Sequence, residues 1–147
     1  MGIDLITYFN DARFPRLIRL NNPFGITISE QSWIGKIPIS ERKDRSFEEF
    51  QKYHHGILAG LSIIQKYYFE DKANTIEKLI NKFARKGTEL APYYEAVSKG
   101  SGFKPRQAIT WKRESIYLII NEIARYENKG RNPMITPDLF AFVWLQI

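Results

Sequence analysis

Residues 19–53 read RLNNPFGITISEQSWIGKIPISERKDRSFEEFQKY, and the fold class turns on them. The runs FGITIS (24–29), SWIGKIPIS (32–40) and RSFEEFQKY (45–53) are short, rich in Ile, Phe and Trp, and separated by turn residues. That pattern predicts three short antiparallel strands. Pro38 fits an edge or a strand end, because it has no N–H to give to a ladder. The charged stretch ERKDR (41–45) reads as the second hairpin loop.

Working outward, residues 3–11 are apolar between Asp4 and Asp11 and predict a short helix that Pro15 limits. From His55 onward the pattern is helical. Ile57, Leu61, Ile64 and Tyr68 share one helical face, as do Ile76, Leu79, Ile80 and Phe83. Asn74 or Thr75 caps the start of the second of these helices, and Gly87 follows its end. TELAPYYEAVSKGSG (88–102) predicts a shorter helix with Thr88 as cap and Gly100 or Gly102 at the stop. WKRESIYLIINEIARYEN (111–128) is the longest and most apolar, and TPDLFAFVWLQI (136–147) opens with Thr136 as N-cap and Pro137 at the first helical position. The expected fold is α+β: one domain over residues 1–147, mostly helical, with a small three-stranded sheet near the N-terminus.

Composition narrows the chemistry. A chain of 147 residues can bury a real core. It has no cysteine, which excludes disulfides and thiolate catalysis. His54 and His55 are adjacent and lack metal-ligand spacing, so neither a metal nor another cofactor is expected. The net charge of +6 favours an anionic partner: nucleic acid, a membrane surface, or an acidic polymer such as a bacterial cell wall. The cations are interleaved with acids, however, as in Arg42, Lys43 and Arg45 among Glu41 and Asp44. No concentrated basic face points to specific nucleic-acid binding. The apolar runs are too interrupted for a membrane span. The start, MGIDLITYFNDARF, has an acid and no basic region where a secretory signal would carry one. The expectation is a monomer made in the cytoplasm.

Three clusters could carry chemistry. Ile116, Ile120, Ile123 and Glu127 follow steps of four, three and four, so they lie on one helix face. If the isoleucines face the core, Glu127 ends a buried stripe. Desolvation and the negative end of the helix dipole would then both favour its protonated form, as a general acid requires. If the last turn frays, Glu127 is an ordinary solvated residue. In the second cluster, Asn21, Asn22 and Pro23 make a turn and Gly25 lets the backbone pass close to something, with Trp33 and Gly35 following. Amides and an aromatic face suit a sugar ring, but a hairpin opening with a core Trp reads the same way. In the third, Tyr93 and Tyr94 sit on a helix where one packs inward and the other outward. A wet hydroxyl could line a cleft, and a plain amphipathic helix has the same pattern.

Together these clusters resemble the lysozyme-like peptidoglycan-cleaving enzymes. Asn21-Asn22-Pro23-Phe24-Gly25-Ile26, then Trp33 and Gly35, looks like the N-N-x-F-G-I…W-x-G segment of the phage and flagellar glucosaminidase relatives. SFEEFQKY followed by GILAGLSIIQKYY is similar to the stretch and helix that come next in that group. IARYENKGRNP (123–133) is similar to the I-A-x-x-E-S-G-x-N-P motif of soluble lytic transglycosylases, and the match places their single catalytic acid on Glu127. The order motif, sheet, helices has become sheet, helices, motif, as a circular permutation would give. Small prophage and virion-associated proteins share this layout over residues 19–133. The chain departs from these patterns at Phe24-Gly25, at Asn128 in place of Ser, and at Lys129, which splits the Asn-Gly pair. It also lacks the transglycosylases' Gly-Leu-Met-Gln segment.

The resemblance implies a lysozyme-like fold and cleavage of the β-1,4 bond between N-acetylmuramic acid and N-acetylglucosamine. Glu127 would be the one acid/base. Asn21, Asn22 and Trp33 would line sugar subsites, with Tyr93 or Tyr94 across the cleft. The partner would be peptidoglycan glycan strands, reached after release or delivery or as part of a phage particle. A hydrolytic version needs a second group, for which Glu30, Glu48 and Glu49 are candidates. The alternative is a wall-binding or structural phage-related protein of the same fold that has lost its chemistry.

Overall fold

A computed structural model of the chain describes residue 2 and residues 6–147. Its elements are α1 (Arg16–Arg19), a 3-10 turn (Ile39–Glu41), α2 (Tyr53–Glu70), α3 (Ile76–Phe83), α4 (Leu90–Ser101), α5 (Arg113–Glu127) and α6 (Pro137–Trp144). Residues 3–5 of the expected first helix lie outside the described residues, and residues 6–15 form turns.

The expected sheet is absent. Helix accounts for 48% of the described residues, which contain no strand, so the α+β expectation is corrected to a helical fold. Thr27 faces Phe47 and Lys36 faces Phe50 in two isolated antiparallel bridges. The reason lies in side chains that take the places a ladder would fill. The Asn22 amide donates to the carbonyls of Ile26 and Glu48 and accepts from the Ile26 N–H. The Glu49 carboxylate accepts from the N–H groups of Lys43 and Asp44, at 2.8 and 2.6 Å. Glu48 is held by Arg42 and by Lys36. Gly25 (φ 66°) and Gly35 (φ 78°) turn the backbone out of the extended region. The residues have strand composition and keep a few backbone bonds, such as Ile28 N–H to the Ser46 carbonyl and Ile37 N–H to the Glu49 carbonyl, yet buried polar side chains take other backbone groups and the pairing stays at isolated bridges.

The core is built on α5. Ile116, Ile119, Ile120, Ile123 and Ala124 are all fully buried, and they pack in one cluster with Ile57, Leu61 and Ile64 of α2, Ile76, Leu79 and Ile80 of α3, and Leu139, Phe140 and Val143 of α6. Burying each Ile or Leu contributes roughly 1.5–3 kcal/mol. Thr75 caps α3 by accepting from the Lys78 N–H, and Thr136 caps α6 by accepting from the Leu139 N–H. Gly102 (φ 84°) stops α4. The expected Thr88 cap is displaced by one residue, because Glu89 occupies the N-cap of α4 without a side-chain bond.

Segment 21–24 packs directly on α2. A β-carbon at Gly56 would lie 1.9 Å from the carbonyl oxygen of Asn21, and one at Gly60 would lie 2.2 Å from the Phe24 ring. The two glycines, one helical turn apart, open a shallow track for the loop. No helix among the described residues is long and apolar enough to cross a membrane.

Candidate active site

Glu127 is the last residue of α5, on the same face as the buried isoleucines. Its side chain is 8% exposed. The Tyr93 hydroxyl donates to Oε2 at 2.6 Å, and Arg85 Nη1 lies 3.4 Å from Oε1. Tyr93 comes from the inner face of α4 and is itself buried, with its ring stacked on Tyr126 at a centroid distance of 4.0 Å. Burial first, and then the Glu127 charge, push the Tyr93 phenol far above its usual range, so it stays protonated and acts as a donor. Arg85 stands just after α3, in the turn closed by the Thr88 N–H on its carbonyl.

Burial is the largest influence on Glu127 and raises its pKa above the ordinary glutamate value; the Tyr93 hydrogen bond and the Arg85 charge pull the other way without cancelling it. The folded state therefore holds this proton more tightly than the unfolded chain. The associated stability is fully present below the ordinary glutamate pKa and is lost as pH rises through the raised folded value. Replacing Tyr93 with Phe removes an opposing influence. The variant is expected to hold the Glu127 proton to higher pH, which carbon-13 NMR of a labelled Glu127 carboxyl would read as a higher titration midpoint. The same variant loses about 1 kcal/mol of hydrogen-bond stability.

The carboxyl sits at the join of two cavities. One, of 370 Å³, is lined by Arg16, Leu17, Phe47, Arg85, Glu127 and Arg131 among others. The other, of 130 Å³, runs past Phe24, Gly25, Ile63, Tyr67, Arg85 and Glu127. Ile63 and Tyr67 carry it on into a third space of 430 Å³ that includes Trp33, Ser29 and Lys66. The three cavities share walls in succession and form a groove with one shielded carboxyl between the first two. A larger concavity of 770 Å³ lies elsewhere, around Glu77, Tyr94 and Arg106. It is shallow and open, and Glu127 takes no part in it.

The fold distributes the sequence-predicted residues unevenly. Glu127 and Tyr93 are in direct contact. Trp33 lines the far end of the groove. Tyr94 points away into the separate concavity, where its hydroxyl donates to Asn81. Asn21 and Asn22 are fully buried and do not face the groove. The Asn21 amide donates to Thr7 and to the Phe50 carbonyl and accepts from the Tyr8 N–H, while Asn22 holds the turn described above. Neither amide is left to meet a sugar. Glu48 and Glu49 are likewise buried and paired, and Glu30 is exposed away from the groove walls. None of the three is placed as a second acid. Gly25 is the residue that passes close to something: a β-carbon there would lie 3.5 Å from the Glu127 carboxyl oxygen.

Two residues escaped sequence reasoning. Arg85 sits in an ARK run that looks like charged surface; only its place after the last apolar residue of a helix separates it from its neighbours. Asn128 was a mere departure from a motif. In the fold it is the clamp of the site: its buried side-chain amide donates to the Pro23 carbonyl at 2.9 Å and to the Ala124 carbonyl at 2.8 Å. The end of α5 is thereby tied to the turn that carries Gly25, across 105 residues of sequence. Asn128→Ala leaves the buried Pro23 carbonyl unpaired and is expected to cost about 1–3 kcal/mol, measurable by urea denaturation.

Among the described residues no group of His, Cys, Asp or Glu is arranged to hold a metal. No protein-family model matches the chain, and no curated protein matches it.

Proposed function

We propose that this protein cleaves the glycosidic bond between N-acetylmuramic acid and N-acetylglucosamine in peptidoglycan, with Glu127 as its single general acid/base. One observation carries the reading: a carboxyl that is nearly out of water, with a raised pKa, is hydrogen-bonded by a protonated tyrosine midway along an extended groove. The protonated carboxyl donates to the leaving glycosidic oxygen. As the carboxylate, it then accepts the proton of the muramic C6 hydroxyl, whose oxygen closes on the anomeric carbon to give a 1,6-anhydro sugar. Tyr93 orients the carboxyl for both steps, and Arg85 stabilises the charge between them. Paired-carboxylate hydrolysis is the less favoured version, since Glu48 and Glu49 are committed to internal contacts. Mass spectrometry of material released from purified sacculi tests this. Anhydro-muropeptides are the expected product; reducing ends would replace the single-acid route by hydrolysis, and no release would overturn the assignment.

The Arg85 contact also favours a second reading. A cation 3.4 Å from Oε1 stabilises the carboxylate form, which suits a wall-binding or phage structural protein without chemistry. Co-sedimentation with sacculi without any released product is the outcome that distinguishes it.

A further inference from the structure

The part of the groove on the α1 side of Glu127 differs from the rest in charge. Its walls carry Arg16, Arg85, Lys129 and Arg131 against the one carboxyl of Glu127. Arg16 is matched by Asp44 through two hydrogen bonds of 2.8 and 2.9 Å, and Arg85 faces Glu127. Lys129 and Arg131 have no acidic partner among the described residues. Both come from the turn after α5, where Lys129 (φ 58°) and Gly130 (φ 85°) reverse the chain directly after the helix. Phe47 lies under the other two cations, with Arg16 Cζ 4.7 Å and Arg85 Cζ 5.5 Å from its ring centre. An aromatic ring thus lies within cation–π reach of two guanidinium groups at the rim of a 370 Å³ space.

Like charges gathered around a partly enclosed space repel one another, and a bound anion relieves that repulsion. Guanidinium groups recognise carboxylates by paired N–H donors, and two further cations without partners supply the net charge. We propose that this pocket binds a carboxylate carried by the glycan beside the bond that Glu127 acts on, so that the substrate class is an acidic glycan and not a neutral one. The proposal rests on reading the groove as a glycan cleft. In peptidoglycan such a carboxylate has two sources, the stem peptide or the lactyl group of a sugar whose peptide has been removed.

The test uses the full-length Glu127→Gln protein, so that the strands stay intact, and compares it with the same protein carrying Lys129→Ala and Arg131→Ala. Both added positions are exposed, and matching thermal melts establish that the fold is kept. Calorimetric titrations use three probes of equal length: peptide-bearing strands, strands stripped by an amidase to free the lactyl carboxylate, and neutral chitin oligomers. Losing two charge-assisted contacts is expected to weaken acidic-strand binding at least about tenfold and to leave chitin binding unchanged. Raising the salt should weaken acidic-strand binding in the protein that keeps both cations, and much less in the one that lacks them. A loss confined to peptide-bearing strands assigns the carboxylate to the peptide, and a loss on stripped strands assigns it to the lactyl group. An equal loss on chitin, no loss on any probe, or no measurable binding to either acidic strand overturns the proposal. Release from sacculi by the wild type is scored separately. Selective binding without release would sink the cleavage reading and leave the pocket standing, and release without selectivity would do the reverse.

Discussion

Glu127→Gln should lower the release of muropeptides from sacculi by about 10²–10⁴-fold, the usual contribution of a positioned general acid. Gln keeps the shape of the side chain and can still accept the Tyr93 hydrogen bond, yet it has no proton of suitable acidity to give and no charge with which to accept one. The same substitution has an expected effect on stability that separates site damage from unfolding. Burial raises the Glu127 pKa, so the wild type loses stability as pH climbs through the folded value. Gln does not titrate. Melting temperatures of the two proteins should be closest at acid pH, with the variant gaining on the wild type as pH rises to neutral. Undiminished release by the variant removes Glu127 from the chemistry. A variant that melts well below the wild type at neutral pH contradicts the account of its burial.

The second large effect concerns the track on α2. Gly56→Ala puts a methyl group 1.9 Å from a backbone oxygen of Asn21. A side chain could rotate aside; this carbonyl belongs to a turn whose residue Asn21 is fully buried and already holds φ 55°. The turn must lift from the helix. Overpacking of this kind costs about 1–3 kcal/mol, and backbone at the contact places Gly56→Ala at the upper end. In a chain of this size that corresponds to a fall of roughly 6–12 °C in melting temperature. Lifting the turn also withdraws Pro23 from Asn128 and Gly25 from Glu127, so activity should fall beyond what unfolding explains. An unchanged melting temperature would falsify the close approach itself.

The helices from α2 onward were legible in the sequence because their apolar residues recur with the period of the structure they form, whereas the short α1 was not, and the helix expected over residues 3–11 is not formed at residues 6–11. The stripe Ile116, Ile120, Ile123 leads to Glu127, and of the two readings the sequence leaves open there, a sheltered carboxyl or a frayed solvated one, the fold takes the first. Residues 19–53 misled because composition reports where side chains prefer to be, and not which groups take the backbone hydrogen bonds. Asn22 and Glu49 take several of those bonds here, and a sequence pattern has no sign for such substitution. The same blindness misassigned Asn21 and Asn22. An amide that binds a sugar and one that braces a turn are spelled alike. Arg85 and Tyr93 reach Glu127 from positions 42 and 34 residues away in the sequence, through the packing of α3 on α4 and of α4 on α5, which no local periodicity encodes. Tyr94 shows the converse: one position beyond Tyr93, it turns to another face of the molecule.

The clamp between Asn128 and Pro23 has a consequence for biosynthesis. Much of what surrounds Glu127, including Gly25, Arg85 and Tyr93, is translated before it, and the carboxyl's shelter forms only when the far end of α5 docks on a turn made more than a hundred residues earlier. Joining such distant partners carries a large loop-closure entropy and is intrinsically slow. Until the end of α5 has been made and has docked on that turn, the chain therefore holds no sheltered carboxyl at position 127.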